Sequence, residues 1–333
     1  MKNQILVFLL STILGINAQA QFAPQVGLAG STAIHKSSSS IKAWAKECSI
    51  QRGYLNIADK ASGYSSTGDS SNALGIADGM VISLGDSGIA TVQFSQSIYN
   101  DNGADFVIFE NGFQNPANPE EAFLELAFVE VSSDGQHFFR FPATSNTLSS
   151  VQIRGAGDYM DARLINNLAG KYAAQYGTPF DLEELKGTVG LNINKVTHIR
   201  IIDVVGSIDQ YASKDKNGQT INDPYPTPFP TGGFDLDAVG AIHLNSSEIN
   251  ELISVKPNIF PNPASTLLMV NLTSAVANDN AEITINDISG RTLLRQKATQ
   301  ENTINIESLQ PGFYFISLSQ SFGSTCIGKF SKI

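Results

Sequence analysis

The feature that most constrains this chain is its punctuation: short β-favouring runs recur along its length, each closed by Gly, Asn, Asp or Ser. "ALGIADGMVISLGDSGIATVQF" (73–94), "ADFVIFENG" (104–112), "AFLELAFVEVSSDGQHFFRF" (122–141), "VTHIRIIDVVG" (196–206) and "GFDLDAVGAIHL" (233–244) all read this way. β-branched and aromatic residues fit a pleated, half-buried surface, and clustered turn formers end each run. Residues 104–112 are almost continuously apolar, as expected of a strand covered on both faces. Residues 122–141 read as a strand, a Ser-Asp-Gly turn and a returning strand, and Gly85 to Gly88 reads as a second hairpin connection.

The period changes once. In "DARLINNLAGKYAAQYG" (161–177), Leu164, Leu168, Tyr172 and Tyr176 repeat every fourth residue, which predicts a helix with one apolar face. "TPFDLEELKG" (178–187) predicts a second helix, with Thr178 as N-cap, Pro179 at the first position and Gly187 as the stop. "KSSSS" (36–40) reads as loop, and residues 41–50, with the single Trp44 expected in a core, read as either a short strand or a short helix. The fold class expected is mainly β: a jelly-roll β-sandwich with a short helical insertion over residues 21–244.

The ends differ from the body. Lys2, the apolar stretch Ile5 to Ile16 and Ala18-Gln19-Ala20 read as a signal peptide over residues 1–20, too short to span a membrane. No cysteine stands directly after the cleavage position, which argues against a lipid anchor there, and no later run is long enough to cross a bilayer. Residues 245–256 read as a polar linker, and residues 257–333 as a separate small Ig-like β-sandwich. There Ile283, Ile285 and Ile288, and then Phe313, Phe315 and Leu318, mark the strands. Cys48 and Cys326 fall in different domains and read as two small buried thiols. With 31 acidic against 21 basic residues, the formal net charge of −10 argues against nucleic acid and anionic membranes as partners.

The tail resembles the type A C-terminal sorting domain of proteins exported by the type IX secretion system. Pro261-Asn262-Pro263, "INDISGR" (285–291), "LQPGFYFISL" (309–318) and the closing "GKFSKI" (328–333) carry the resemblance, in order. It implies that residues 257–333 are an address read by the secretion machinery, and a location that is secreted or on the cell surface, reached through the periplasm and outer membrane. The body resembles galactose-binding-like (discoidin-like) jelly rolls through "FVEVSSDGQHFFRF" (128–141), "THIRIIDV" (197–204) and "FDLDAVGAI" (234–242). It also resembles a family of secreted cell-surface proteins without settled chemistry.

Candidate chemistry is sparse. No Gly-x-Ser-x-Gly, His-Glu-x-x-His or cysteine-nucleophile motif is present, and the four histidines lack zinc-like spacing. Glu110, Glu125 and Glu130 offer carboxylates for glycoside cleavage, but Glu125 and Glu130 are an odd number apart and face opposite ways on a regular strand. "DKNG" (215–218) with Asn222-Asp223, and "DNGAD" (101–105), gather oxygens around glycine. Asp101, Asp105, Asp215, Asn217 and Asp223 therefore read either as structural calcium ligands or as plain Asx turns. Galactose-binding-like jelly rolls often hold such a calcium, which is what that resemblance implies.

The long segment 207–232 carries Pro224, Pro226, Pro228 and Pro230, which stiffen it and hold Tyr211, Tyr225 and Phe229 ready for a sugar or other planar ligand. Strict alternation from Phe234 puts Leu236 and Ala238 on the core face and turns Asp235 and Asp237 outward, toward that rim. The function expected is non-catalytic binding of a glycan or another small nutrient. The alternatives are a secreted polysaccharide hydrolase working near Glu110 and Asp105, and a structural or adhesive surface protein or capture partner of an outer-membrane transporter.

Overall fold

The computed structural model describes residues 22–245, 257–272, 281–320 and 323–333. The expected leader and nearly all of the expected linker lie outside them. The chain divides between Asn245 and Ser246 into two compact units.

In the first unit, two antiparallel sheets enclose one core. The first runs in the order Ile34–His35, Tyr176–Phe180, Phe106–Glu110, Asp235–Ala241 and Ala43–Trp44, with Ile82–Ser83 also paired to Asp235–Ala241. The second runs Phe139–Arg140, Ala127–Ser132, Val196–Asp203, Ile89–Ile98 and Glu47–Gln51. Following the chain from Ile82–Ser83, every step between these long strands crosses from one sheet to the other, except the hairpin from Ala127–Ser132 to Phe139–Arg140. With Val196–Asp203 seated between Ile89–Ile98 and Ala127–Ser132, and Asp235–Ala241 beside Phe106–Glu110, this is the jelly-roll path. Phe106 stacks on Phe180 at 5.2 Å between centroids, and Phe141 meets both rings edge-on in the middle of the core. Phe106–Glu110 is buried along its whole length, as its unbroken apolar run requires.

Several local expectations are corrected. Gly85 to Gly88 do not close a hairpin, because Ile82–Ser83 and Ile89–Ile98 belong to different sheets. Residues 161–177 form no α-helix: a three-residue 3₁₀ turn, Ala162–Leu164, is followed by the short strands Ile165–Asn166 and Leu168–Ala169. The fourfold spacing misled because residues 167–173 are buried on every side, not along one stripe. The backbone also turns left-handed at Asn167, Gly170 and Gln175. At Gly170 a Cβ would lie 1.9 Å from the carbonyl oxygen of Glu125. Thr178 and Pro179 belong to the strand Tyr176–Phe180. Pro179 is tolerated there because the neighbouring Ile34–His35 pairs only with Tyr176 and Gly177. The helical turn that follows is 3₁₀, Leu182–Leu185, capped by Asp181.

The second unit packs a three-stranded sheet (Asn258–Phe260, Leu267–Asn271, Glu301–Asn305) with a four-stranded one (Thr292–Lys297, Glu282–Asn286, Gly312–Gln320, Gly323–Lys332). Its core holds Leu268, Val270, Ile283, Ile285, Ile316, Leu318 and Phe330. Within Gly312–Gln320 the inward residues are Tyr314, Ile316 and Leu318, so Phe313 and Phe315 face outward, and Ile288 is exposed in its turn. Both cysteines are free; Cys48 is half-buried and Cys326 is exposed rather than buried.

Candidate functional site

Strand pairing sets where the chemistry collects. Glu110 ends its strand opposite Leu236, next to Asp235, and Asp203 ends its strand opposite Ala127, two residues after Glu125. One end of the jelly roll therefore gathers Glu110, Glu125, Asp203 and Asp235, joined by Asp223 and Asp86 from the loops, all buried. Most of these acids bind loop backbone. Asp203 accepts from the amides of Ser87 (2.9 Å) and Phe234 (2.7 Å), Asp223 from Leu126 (3.0 Å), Asp86 from Ile57 (2.7 Å), and Glu110 from Gly112 (2.8 Å). Asp235 accepts from the Ser83 hydroxyl and from Asn111 Nδ2 at 2.9 Å. Glu110 leaves its second oxygen, Oε1, buried without a partner among the described residues.

Glu125 differs from all of them. It is 6% exposed, yet no described residue donates a hydrogen bond to its carboxyl. It faces a cavity of about 380 Å³ whose wall also includes Asn111, Phe113, Phe123, Arg154, Phe229 and Asp235. The lip is built by the hairpin of Phe113–Asn115 and Asn118–Phe123, where Phe113 and Phe123 are paired and stack at 5.1 Å. Phe229 is presented to the same cavity by a tight turn: its amide reaches Thr227 O at 2.7 Å and its carbonyl accepts from Gly232 at 2.9 Å. Phe113 is 44% exposed and Phe229 59%. A larger hollow of about 540 Å³ lies by Trp44, Tyr99 and His243. Its charged members Lys42 and Lys46 are solvent-exposed, and His243 is already bonded to Asp105 at 2.7 Å.

Burial sets the electrostatics of this end. It pushes the Glu125 carboxyl well above the usual range, and the neighbouring Glu110, Asp235, Asp223 and Asp203 add to that. Glu110, Asp203 and Asp223 are raised strongly for the same first reason, and Asp86 is pushed up to about 6. Asp235 is raised by burial but drawn back by Ser83 and Asn111. Two carboxyls thus share one cavity in different environments, one bare and one hydrogen-bonded.

Of the expected ligand residues, Phe229 and Asp235 meet in this cavity. Tyr211 and Tyr225 lie beside each other near Asp86 instead, with the Tyr225 hydroxyl 3.3 Å from Asn56 Oδ1. Asp235 and Asp237 do not face solvent: both are 5% exposed, because the strand is covered on both faces, and an irregularity between Leu236 and Ala238 then breaks the alternation beyond them. As a result Val239 and Ala241 join the main core, and Asp237 binds the amides of Asp78 and Gly79.

The expected calcium ligands are dispersed. Asp105 accepts from the amides of Asp101 (3.0 Å) and Leu182 (2.7 Å) and from His243, at the far end of the Phe106–Glu110 strand, roughly 17 Å from Glu110. Asp215 closes its own turn, taking the amides of Asn217, Gln219 and Ser145, while Asn217 is exposed and Asp223 sits among the buried acids. Among the described residues no three His, Cys, Asp or Glu side chains are placed to share a metal ion.

Residues 258–330 match the model of the secretion system C-terminal sorting domain. The tail belongs to that family. It addresses the chain to the type IX secretion machinery and so to the cell surface or the extracellular space. Among the described residues no helix is long and apolar enough to cross a membrane. No curated protein matches the sequence. Solved structures similar to the chain include a biofilm-associated protein BSP domain, at 11% identity over 89% of this chain and 53% of that one, with a TM-score of 0.24. They also include β-glucuronidases from Parabacteroides merdae (8% identity, 75% and 28% coverage, TM-score 0.19) and Ruminococcus gnavus (10%, 86% and 43%, 0.18). The chain spans about half or less of the length of each.

Proposed function

We propose that this exported chain is a non-catalytic binding protein whose jelly-roll end pocket takes a glycan or similar polyhydroxylated nutrient. The observation that carries the reading is Glu125: an unbonded carboxyl at the wall of a cavity flanked by the exposed faces of Phe113 and Phe229. Sugar sites combine a few convergent polar groups with aromatic faces, and Asn111, Asp235, Thr227 and Thr231 supply further hydrogen-bonding groups. A glycan panel tests it. The full exported chain should be retained by at least one saccharide, and Phe229→Ala should weaken retention about tenfold or more; no retention by any saccharide contradicts the reading.

Hydrolysis is a second reading, favoured by Glu125 and Asp235 sharing the cavity in environments that separate their acidities. Release of reducing ends from a retained saccharide, abolished by Glu125→Gln, would replace binding with catalysis. Neither reading needs calcium. A melting temperature unchanged by EDTA agrees with them, and a fall of several degrees would return a cation to the 215–223 loop.

A further inference from the structure

We infer that the pocket selects a sugar carrying a protonated amine, an amino sugar, over its neutral counterparts. This rests on the glycan-binding reading. Six acids converge at this end of the fold, and among the described residues the only buried lysine or arginine is Lys171, which donates to Ile165 O at 2.7 Å and has Asp161 as its acidic neighbour. Two carboxyl groups there lack what a cation would supply: Glu110 Oε1 is buried without a partner, and Glu125 is bare at the cavity wall. A hydroxyl can satisfy a lone pair but brings no charge to offset the ionised form of these acids, which burial and their mutual repulsion disfavour. An ammonium brings three donors and a charge. Phe113, Phe123 and Phe229 line the same cavity, and aromatic rings attract a cation. Arg154 is the one cation in the wall; it is exposed at the lip, which directs the amine toward Glu125 and Asp235.

The groups that face Glu125 are Glu110, Asp235, Asp223 and Asp203 below it, with Arg154 at the rim. Because burial favours the protonated acids, an incoming ammonium displaces protons, and its affinity should rise with pH while the amine stays charged. Calorimetric titration of the full chain with three β-1,4-linked disaccharides tests this: glucosamine, N-acetylglucosamine and glucose. The expected result is that the diamine binds at least tenfold tighter than the other two, that this margin grows from pH 5 to pH 6.5, and that Glu125→Gln removes it. Equal affinity for all three overturns amine selection and leaves the glycan reading standing. Binding of none overturns both. A preference that survives Glu125→Gln intact also overturns the inference, because the amine then sits elsewhere.

Discussion

At the scale of single residues, the informative comparison is among acids buried together. Asp203, Asp223 and Asp86 hold loop amides, so replacing them removes structure. Glu125 holds nothing and is crowded by like charges. Glu125→Gln should therefore raise stability, by about 1 kcal/mol or roughly 2–4 °C in melting temperature, while lowering ligand binding. A fall in both would make Glu125 a structural residue. The same cluster fixes a pH dependence. Each of these acids has its folded-state pKa raised, so the folded form holds the proton more tightly than the unfolded chain. The associated stability is fully present below about pH 4 and is lost as pH rises, through about 6 for Asp86 and through the raised folded-state values of Glu110, Glu125, Asp203 and Asp223. Scanning calorimetry should find the jelly-roll transition moving down between pH 5 and pH 8; a transition that climbs across that window contradicts the electrostatics.

At the scale of elements, the pocket depends on an ordered 206–232 segment. Besides Asp215 and Asp223, two amide side chains hold it. Asn222 donates to the carbonyls of Leu148 and Val151, both at 2.6 Å, and accepts from Ile153 N at 3.1 Å. Gln152 bonds Gly206 O and Asp223 O at 3.0 Å and accepts from Ile208 N. Asn222→Ala leaves several buried backbone groups unpaired. It should cost about 2–3 kcal/mol and open residues 224–232 to limited proteolysis, and an uncut mutant would show that the segment is held otherwise. The order of this segment was legible, because alternate prolines stiffen it. The direction of its neighbours was not. Asp235 keeps the face that strict alternation gives it, opposite the core residues Phe234 and Leu236, and is buried there by Ser83 and Asn111; the irregularity at Leu236–Ala238 shifts only the residues after it. The helix expected over 161–177 fails for a related reason: a spacing of four is also what a thoroughly buried, turning segment can show.

At the scale of the whole molecule, two units with separate apolar cores divide the work. The tail was the most legible part, because its motifs recur in fixed order and a family model covers residues 258–330. A chain lacking residues 257–333 should accumulate inside the outer membrane while the full chain reaches the surface, and cell fractionation distinguishes the two. The jelly roll was legible from its short runs and turns. The pocket was half legible. Phe229 and Asp235 stood out in the sequence, but Asn111, Phe113 and Arg154 lie 75 to 124 residues from them and are joined only by strand pairing and loop packing. The measurement that bears most directly on the central claim is a crystal structure of the full chain soaked with a retained saccharide. The expected result is a sugar ring against Phe229 with an oxygen or nitrogen within hydrogen-bonding distance of the Glu125 carboxyl. A ligand bound elsewhere, with residues 224–232 folded into the cavity, would contradict it.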